Sequence, residues 1–432
     1  MTDLQAKISW KAATAIVVAN MIGSGVFTSL GFQLNDISNT WSVIILWSLG
    51  AIMALCGALS YAEIGTQLKR SGGEYHFLSE LFHPFAGYLS GWISMTVGFA
   101  APIALSAIAL SKYTFVFHGT SINAIAVLVI LAVTLMHSIN LKKSAIFQNF
   151  TTSVKVLIIL GFILFGLLHH HPDNALDWGS TWQKEIFYPG FAVSFVYVTF
   201  SYSGWNAAAY IIEEIDRPSK NLPRALILGT LIVSIIYLLL NLVFLKNASL
   251  ADLQGQLEIG QIVSDHIFGS FGGKLMSLAI ALMLISGISA MIWAGPRVIK
   301  AMADDYRLWH AFKKISSGGL PVRAVLLQSG IAIFMVITGT FERILIYCGF
   351  LLNFFAAFTV MSSYVVRKRG LSKDTFKSPF FPIPQIIFLI LSAWILIFLI
   401  VQQPWESMYG TLNIVVGIAT YWMSKKIISF PQ

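Results

Sequence analysis

The chain has 432 residues, of which 56% are hydrophobic, 13% aromatic and only 11% charged, against roughly a quarter charged in an ordinary soluble domain. Such a chain cannot cover its own surface with polar groups, which excludes soluble folds, secreted disulfide scaffolds and nucleic-acid binders and describes an all-α polytopic membrane protein. The net charge of +9 is read first as topology, because Lys and Arg are distributed by side of the membrane.

The first 15 residues carry Asp3, Lys7 and Lys11 ahead of an apolar run and lack a small-residue cleavage site, so the mature chain is expected to keep them. Twelve apolar runs then follow, at 10–34, 41–67, 84–111, 121–139, 147–168, 188–214, 222–246, 272–302, 322–341, 344–366, 380–401 and 405–427. Each is long enough to cross a hydrocarbon core roughly 30 Å thick. Alternating the connections between two sides puts 22 of the 28 Lys and Arg residues on the side of both termini and five on the other, with Lys155 alone in mid-span. Basic residues in short loops stay in the cytoplasm during insertion, so both termini are expected there, in a multi-pass protein of the cell inner (plasma) membrane. The longest outer connections are 169–187 and 247–271, and the second holds a weakly amphipathic stretch, Leu250 to Phe268, that could lie on the outer surface. Cys56 and Cys348, both inside apolar runs, allow neither a disulfide framework nor a Cys-rich metal site.

The first run contains Ile22-Gly23-Ser24-Gly25-Val26-Phe27. Glycine in a helix costs about 1 kcal/mol relative to alanine. Two glycines around a serine are either a close helix–helix contact of the small-residue kind or an unwound break. In a break, the free N–H groups of the following half-helix would bind an anion such as a carboxylate. A second polar, glycine-containing stretch decides between these: Phe200-Ser201-Tyr202-Ser203-Gly204-Trp205-Asn206 in the sixth run. Interrupted helices at corresponding places in two five-helix halves point to an inverted-repeat transporter with its site where the breaks cross. Irregular backbone is tolerated at that depth only where it lines a cavity.

These segments resemble the amino acid–polyamine–organocation (APC) superfamily, and within it the L-type amino-acid transporter branch. Ile22-Gly23-Ser24-Gly25-Val26-Phe27 is similar to the family's helix 1 signature. Tyr61-Ala62-Glu63-Ile64-Gly65 with Arg70-Ser71-Gly72-Gly73-Glu74-Tyr75 resembles its helix 2 and the loop that follows. Ser203-Gly204-Trp205-Asn206 and the stretch from Glu213 to Arg224 resemble its passage from helix 6 to helix 7. The likeness runs from residue 10 to about 370 and departs after Ser286, where the family has a polar small-residue run ending in Ser-Arg and this chain has Met291-Ile292-Trp293-Ala294-Gly295-Pro296-Arg297. The resemblance implies a LeuT-type 5+5 inverted repeat in one membrane transport domain over 1–432. Its first repeat would be 10–168 and its second 188–366, with two additional helices in 380–427. It also implies alternating-access movement of free amino acids. The substrate carboxylate would sit on helix 1 N–H groups near Ile22, Gly23, Ser24 and Gly25, and its ammonium on carbonyls around Phe200, Ser201 and Ser203, with Asn206 nearby. Phe200 would act as an aromatic outer gate.

Among the buried polar groups, Lys155 lies eight residues after Phe147, about 12 Å along the helix, too deep to snorkel. An intramembrane ammonium is functional by default. In the resembling family this is the place where sodium-coupled relatives bind a cation, so Lys155 is expected either to tie broken helix 1 to Ser286 or Ser289 without sodium, or to carry a proton. Tyr237 and Asn241, four apart, share a helix face; the resemblance implies a tyrosine of this helix near the substrate and the helix 1 to helix 8 junction, and ordinary interhelical hydrogen bonding is the alternative. Glu63, Glu213 and Glu214 fall at cytoplasmic helix ends beside Arg70, Arg217 and Arg224, as an inner ion-pair gate or packing lock, while Glu74, Asp304 and Asp305 are expected in solvent. His169-His170-His171, without a carboxylate or Cys partner, is polar loop before it is a metal site.

No HExxH, P-loop Gly-Lys-Ser/Thr or G-x-S-x-G elbow occurs, so no enzyme is expected, nor catalytic residues, metal or cofactor. The expected function is sodium-independent transport of neutral L-amino acids, as an exchanger. The alternatives are a proton-coupled symporter of the same fold, then a channel or an amino-acid sensor. Partners are the free amino acid and the lipid bilayer, with no nucleic acid and no inferable obligate protein partner. No Asp or Glu falls at mid-depth in helices 1, 3, 6, 8 or 10 to pair with a cationic side chain, which favours zwitterions with uncharged side chains of small or medium size.

Overall fold

A computed structural model describes residues 7–114, 121–139, 141–169, 176–316 and 321–424, with no side chain described at 139, 141–149 and 151. His170 and His171 of the histidine triplet, and Lys425 and Lys426 of the basic C-terminus, lie outside the described residues. The first apolar run is two helices, α1 (Trp10–Met21) and α2 (Gly25–Gln33), followed by α3 (Thr40–Leu68), α4 (Glu74–Leu81) and α5 (Pro84–Ile93). A π-helical turn, Ser94–Gly98, joins α5 to α6 (Ala100–Tyr113), so the third run is continuous but widened and underwound in its middle. Next come α7 (Ile122–Ile139), α8 (Leu141–Leu168), the short α9 (Trp182–Glu185) and α10 (Pro189–Ser201). The sixth run ends in a 3₁₀ helix, Ala207–Glu214, and α11 (Pro218–Asn247) and α12 (Leu250–Leu253) follow. The remainder is α13 (Ile259–Asp305), α14 (Val322–Thr338), α15 (Phe341–Arg369), α16 (Ile383–Gln402) and α17 (Pro404–Met423).

Local chemistry sets the ends. Asn39 caps α3 by accepting the Trp41 N–H at 2.8 Å, and Lys69 closes it in the left-handed conformation (φ 53°). Gly269, at φ 72°, interrupts α13, so the amphipathic stretch expected over Leu250 to Phe268 divides between α12 and the first turns of α13 before the long apolar helix begins. Among the described residues, seven helical segments, counting α1 with α2 and α5 with α6, are long and apolar enough to cross a membrane. Shorter apolar stretches accompany them, Ile122–Ser138 within α7, Thr152–Leu168 within α8, Pro189–Ser201 and Val322–Thr338. Among the described residues no sheet forms, and Ile8 alone makes a parallel bridge to Ile215.

At the basic end of the bundle, where Lys69, Arg70 and Arg367 lie, the Glu63 carboxylate is fully buried and takes two bonds from Arg367, Nε at 2.8 Å and Nη2 at 2.5 Å, with the Ser378 N–H at 2.6 Å. This fork clamps α3, α15 and the segment before α16 together. The other expected carboxylate partners are also elsewhere. Glu214 faces Arg297 at 3.4 Å, and Glu213 accepts the Ser71 N–H at 3.3 Å, so none of the three acids uses the arginine nearest in sequence. Arg367→Ala would leave a buried carboxylate unpaired and should cost about 3–5 kcal/mol, read as a fall in the melting temperature of the detergent-solubilised protein. Arg367→Ala with Glu63→Gln should recover most of that loss.

Candidate functional site

The helix 1 break falls at Ile22–Ser24, between α1 and α2. The N–H groups of Gly25 and Val26 open α2 without an intrahelical acceptor, as the first turn of any helix does, and Ser24 beside them is 3% exposed. The carbonyls left at the end of α1 are met by side chains from other helices. Tyr237 of α11 donates its hydroxyl to Met21 O at 2.6 Å, and the Lys155 ammonium of α8 donates to Ile22 O at 2.7 Å and Ala19 O at 3.4 Å. Lys155 is 0% exposed. Its partners are thus the helix 1 carbonyls. Ser289 bonds His137 Nε2 at 2.7 Å, and the Ser286 hydroxyl has no hydrogen-bond partner.

The helix 6 break spans Tyr202 to Asn206. Gly204 holds φ 95°, and a Cβ there would stand 2.8 Å from the Asn20 carbonyl carbon, so only glycine lets the two breaks touch. Gly25 is equally close on the other side, where a Cβ would lie 2.6 Å from Ser201 Cα. The contact is completed by Ser29 Oγ and Ser201 Oγ at 3.0 Å, and by Tyr237, whose hydroxyl also donates to Ser201 O at 3.0 Å. Tyr237 therefore ties both breaks, while Asn241 turns its amide back onto Tyr237 O at 2.8 Å in its own helix.

Two adjoining cavities share Asn20, Pro102, Phe200, Ser203 and Met291 in their walls. The smaller, about 20 Å³, is lined by Gly23, Ser24, Gly25 and Ser201, with Ser106 and Gly287. That volume holds a water or two and no amino acid. The larger, about 120 Å³, runs along the helix 6 break past Gly204, Trp205, Asn206 and Tyr210 to Glu74, Trp293 and Arg297. Of the residues singled out in the sequence, Gly23, Ser24, Gly25, Phe200, Ser201 and Ser203 meet at the smaller cavity, and Asn206 lines the larger one alone. Ile22 lines neither, being 1% exposed, and contributes its carbonyl to Lys155.

At the end opposite the basic one, Phe32 of α2 stacks between Tyr197 of α10 (centroids 5.6 Å apart) and Phe341 of α15 (5.8 Å), an aromatic lid across the top of both broken helices. The larger cavity extends the other way, to Arg297, whose 29% exposed side chain pairs beyond the cavity wall with the 38% exposed Glu214.

Three wall residues were not foreseen. Glu74, expected in solvent, is 6% exposed and lines the larger cavity, because Gly72 (φ 119°) and Gly73 (φ 56°) turn the chain inward after α3. The Gly-Gly pair in the loop motif was the available signal. Asp305 accepts the Tyr75 hydroxyl at 2.5 Å, and Asp304 pairs with Lys300 at 2.9 Å and Lys313 at 3.2 Å, so neither is simply solvated. Trp293 and Arg297 come from the segment where the chain departs from its resemblance, and the guanidinium lies 3.5 Å over the indole centroid. Among the described residues no group of His, Cys, Asp and Glu could hold a metal ion, and His169 bonds Asn247 at 2.9 Å.

Comparison with known proteins matches residues 8–423 to a family model described as amino acid permease. The chain is 28% identical over 442 aligned positions to the serine/threonine exchanger SteT of Bacillus subtilis, covering 98% of each protein. It is 27% identical to the b(0,+)-type amino acid transporter 1 of Mus musculus, over 98% of this chain and 88% of that protein. It is 26% identical to the large neutral amino acids transporter small subunit 2 of Mus musculus, over 97% and 81%.

Proposed function

The chain belongs to the amino acid permease family, and from that premise we propose that it is a sodium-independent exchanger of neutral L-amino acids working by alternating access. That it is an amino-acid transporter of the multi-pass membrane class, and no enzyme, follows from the family and its relatives. We further infer twelve spans as a 5+5 inverted repeat plus two helices, one membrane domain, and both termini in the cytoplasm of the cell that carries it.

The observation that supports the reading best is the meeting of two glycine-dependent breaks at one cavity, with a buried ammonium at the end of α1. A carboxylate at the N–H groups of Gly25 and Val26 would take the positive end of α2, and the α-ammonium would take carbonyls of the helix 6 break. Ser201 O already accepts from Tyr237, so its second lone pair and the Ser203 hydroxyl are the remaining acceptors there. Lys155 fills the position where a cation would otherwise brace helix 1, which supports independence from sodium. A name that includes "small subunit" among the relatives makes a companion subunit conceivable for that protein, while nothing in this chain's described surface specifies one.

The test is competition and counterflow in proteoliposomes. Labelled serine, alanine and leucine should enter vesicles preloaded with unlabelled neutral amino acid at least about tenfold faster than empty vesicles, with or without sodium. Strict dependence on sodium, or arginine or glutamate outcompeting every neutral amino acid, would overturn the reading. A channel would show no counterflow, and a sensor neither uptake nor counterflow.

A further inference from the structure

Glu74 is the one carboxylate that the larger cavity has in its wall. Both hydrogen bonds it accepts land on the same oxygen: Tyr61 of α3 donates to Oε1 at 2.6 Å, and Asn206 of the helix 6 break donates Nδ2 to Oε1 at 3.1 Å. Among the described residues no protein donor reaches Oε2. That oxygen is also not sealed in the packing, which leaves it to the cavity. Of the charges around Glu74, Arg70 lies four residues before it and acts on Tyr75 and His76 without an ion pair to Glu74, and the others are engaged elsewhere. On α3, Glu63 holds Arg367 of α15; across the cavity on α13, Arg297 holds Glu214. On its own helix Tyr75 donates to Asp305, and His76 is held down to about 4 by burial, so it stays neutral near pH 7. Tyr210 beside it adds a hydroxyl and no charge, and His83 at the start of α5 caps the Phe85 N–H. Among the described residues no cation lies within ion-pairing distance of the carboxylate. A buried, unpaired carboxylate is tolerated only while water reaches it, or once it is protonated. Burial raises the Glu74 carboxyl to about 7, against the two hydrogen bonds that favour the ion.

We propose that Glu74 is a proton-binding site of the transport cavity, and that its carboxyl must be neutral for the cavity to close. The proposal rests on the reading of the chain as an alternating-access amino-acid carrier whose larger cavity opens at the basic, cytoplasmic end. When that end closes, water leaves the cavity and Oε2 loses its only partners; a proton from the cavity water removes the charge, and the neutral carboxyl keeps its two bonds at Oε1. When the same end reopens, the proton returns to the compartment that supplied it. Glu74 would thus make the rate of the inner closing step follow internal pH without moving protons across the membrane. This separates it from Lys155, whose titration would couple transport to a proton gradient.

The test is exchange of a neutral amino acid in oriented proteoliposomes, with the pH set independently on the two sides. The expected result is a rate that rises about fivefold as pH on the cavity side falls from about 8 to about 6, with little response to pH on the far side. Pyranine trapped inside the vesicles should record no proton flux tied to exchange. Glu74→Gln, permanently neutral, should show a flat profile whatever its absolute rate. Tyr61→Phe, which removes a bond to the ionised form, should move the midpoint to higher pH; it serves if Glu74→Gln does not fold. A pH-independent wild-type exchange, an equal response to pH on both sides, a Glu74→Gln profile like the wild type, or proton flux matched to exchange would each overturn the proposal. Absence of any amino-acid exchange would instead overturn the functional reading on which it rests.

Discussion

Gly25→Ala should lower transport by about 100-fold or more, while Gly23→Ala, two residues away in the same break, should transport within about threefold of the wild type. The contrast follows from where a single methyl group would go. At Gly25 it meets Ser201 Cα and Oγ at 2.6 Å, and a backbone atom cannot rotate away. The start of α2 must then retreat from α10, breaking the Ser29–Ser201 contact and shifting the N–H groups that open α2. A displacement of about 1 Å at a binding centre is enough for a loss of that size. At Gly23 nothing lies within 4 Å of the added carbon. The larger substitution Gly23→Leu should still abolish transport by covering the cavity wall. Counterflow rates beside melting temperatures separate loss of function from loss of fold: Gly25→Ala should cost only the ~1–3 kcal/mol of a local overpacking. Normal exchange by a folded Gly25→Ala protein would remove the close approach of the two breaks from the mechanism.

Lys155→Met should be as inactive as Lys155→Ala, with exchange reduced by about 100-fold. Methionine restores the apolar bulk of the side chain but no donor, so Ile22 O and Ala19 O lose the group that terminates α1. Each buried acceptor left without a donor costs about 1–3 kcal/mol, and the energy is lost at the hinge. If Lys155 acts only as this fixed brace, wild-type exchange should ignore an imposed proton gradient, and substrate-free vesicles should accumulate little. If the ammonium releases its proton in the cycle, accumulation into substrate-free vesicles under an inward proton gradient should appear, and the exchanger reading would fall. Retention of more than about a third of the wild-type rate in Lys155→Met would remove the brace itself.

The helical framework and both breaks were legible in the sequence, because a glycine–serine cluster in the middle of an apolar run has few explanations. The partners were not. Glu63 finds Arg367, 304 positions away, in preference to Arg70, and Lys155, expected to tie broken helix 1 to Ser286 or Ser289, meets helix 1 at the Ile22 and Ala19 carbonyls while Ser289 bonds His137 instead. Such pairings depend on how helices cross, which periodicity does not encode. Glu74 escaped for another reason. Loop carboxylates are usually solvated, and the inward turn depends on two successive positive φ angles that only the Gly72-Gly73 pair hinted at. The wide, underwound turn at Ser94–Gly98 was not legible either, since a π turn has no periodic signature of its own.

The two halves of the first run are fastened to different parts of the molecule. Helix α1 is pinned at its end by Lys155 of α8 and Tyr237 of α11, while α2 is pinned by Ser201 of α10 and by Tyr113 of α6, whose hydroxyl donates to Phe27 O at 2.9 Å. A three-residue joint therefore connects two lever arms held by different helices, with Tyr237 as the cross-tie between Met21 O and Ser201 O. Swinging one arm without the other has to break that tie, which lets the gates open in turn only when it yields. The price is a machine whose stroke is set by one short flexure: cross-linking α1 to α2 on opposite sides of Gly23 should freeze the stroke while leaving both sets of helices folded.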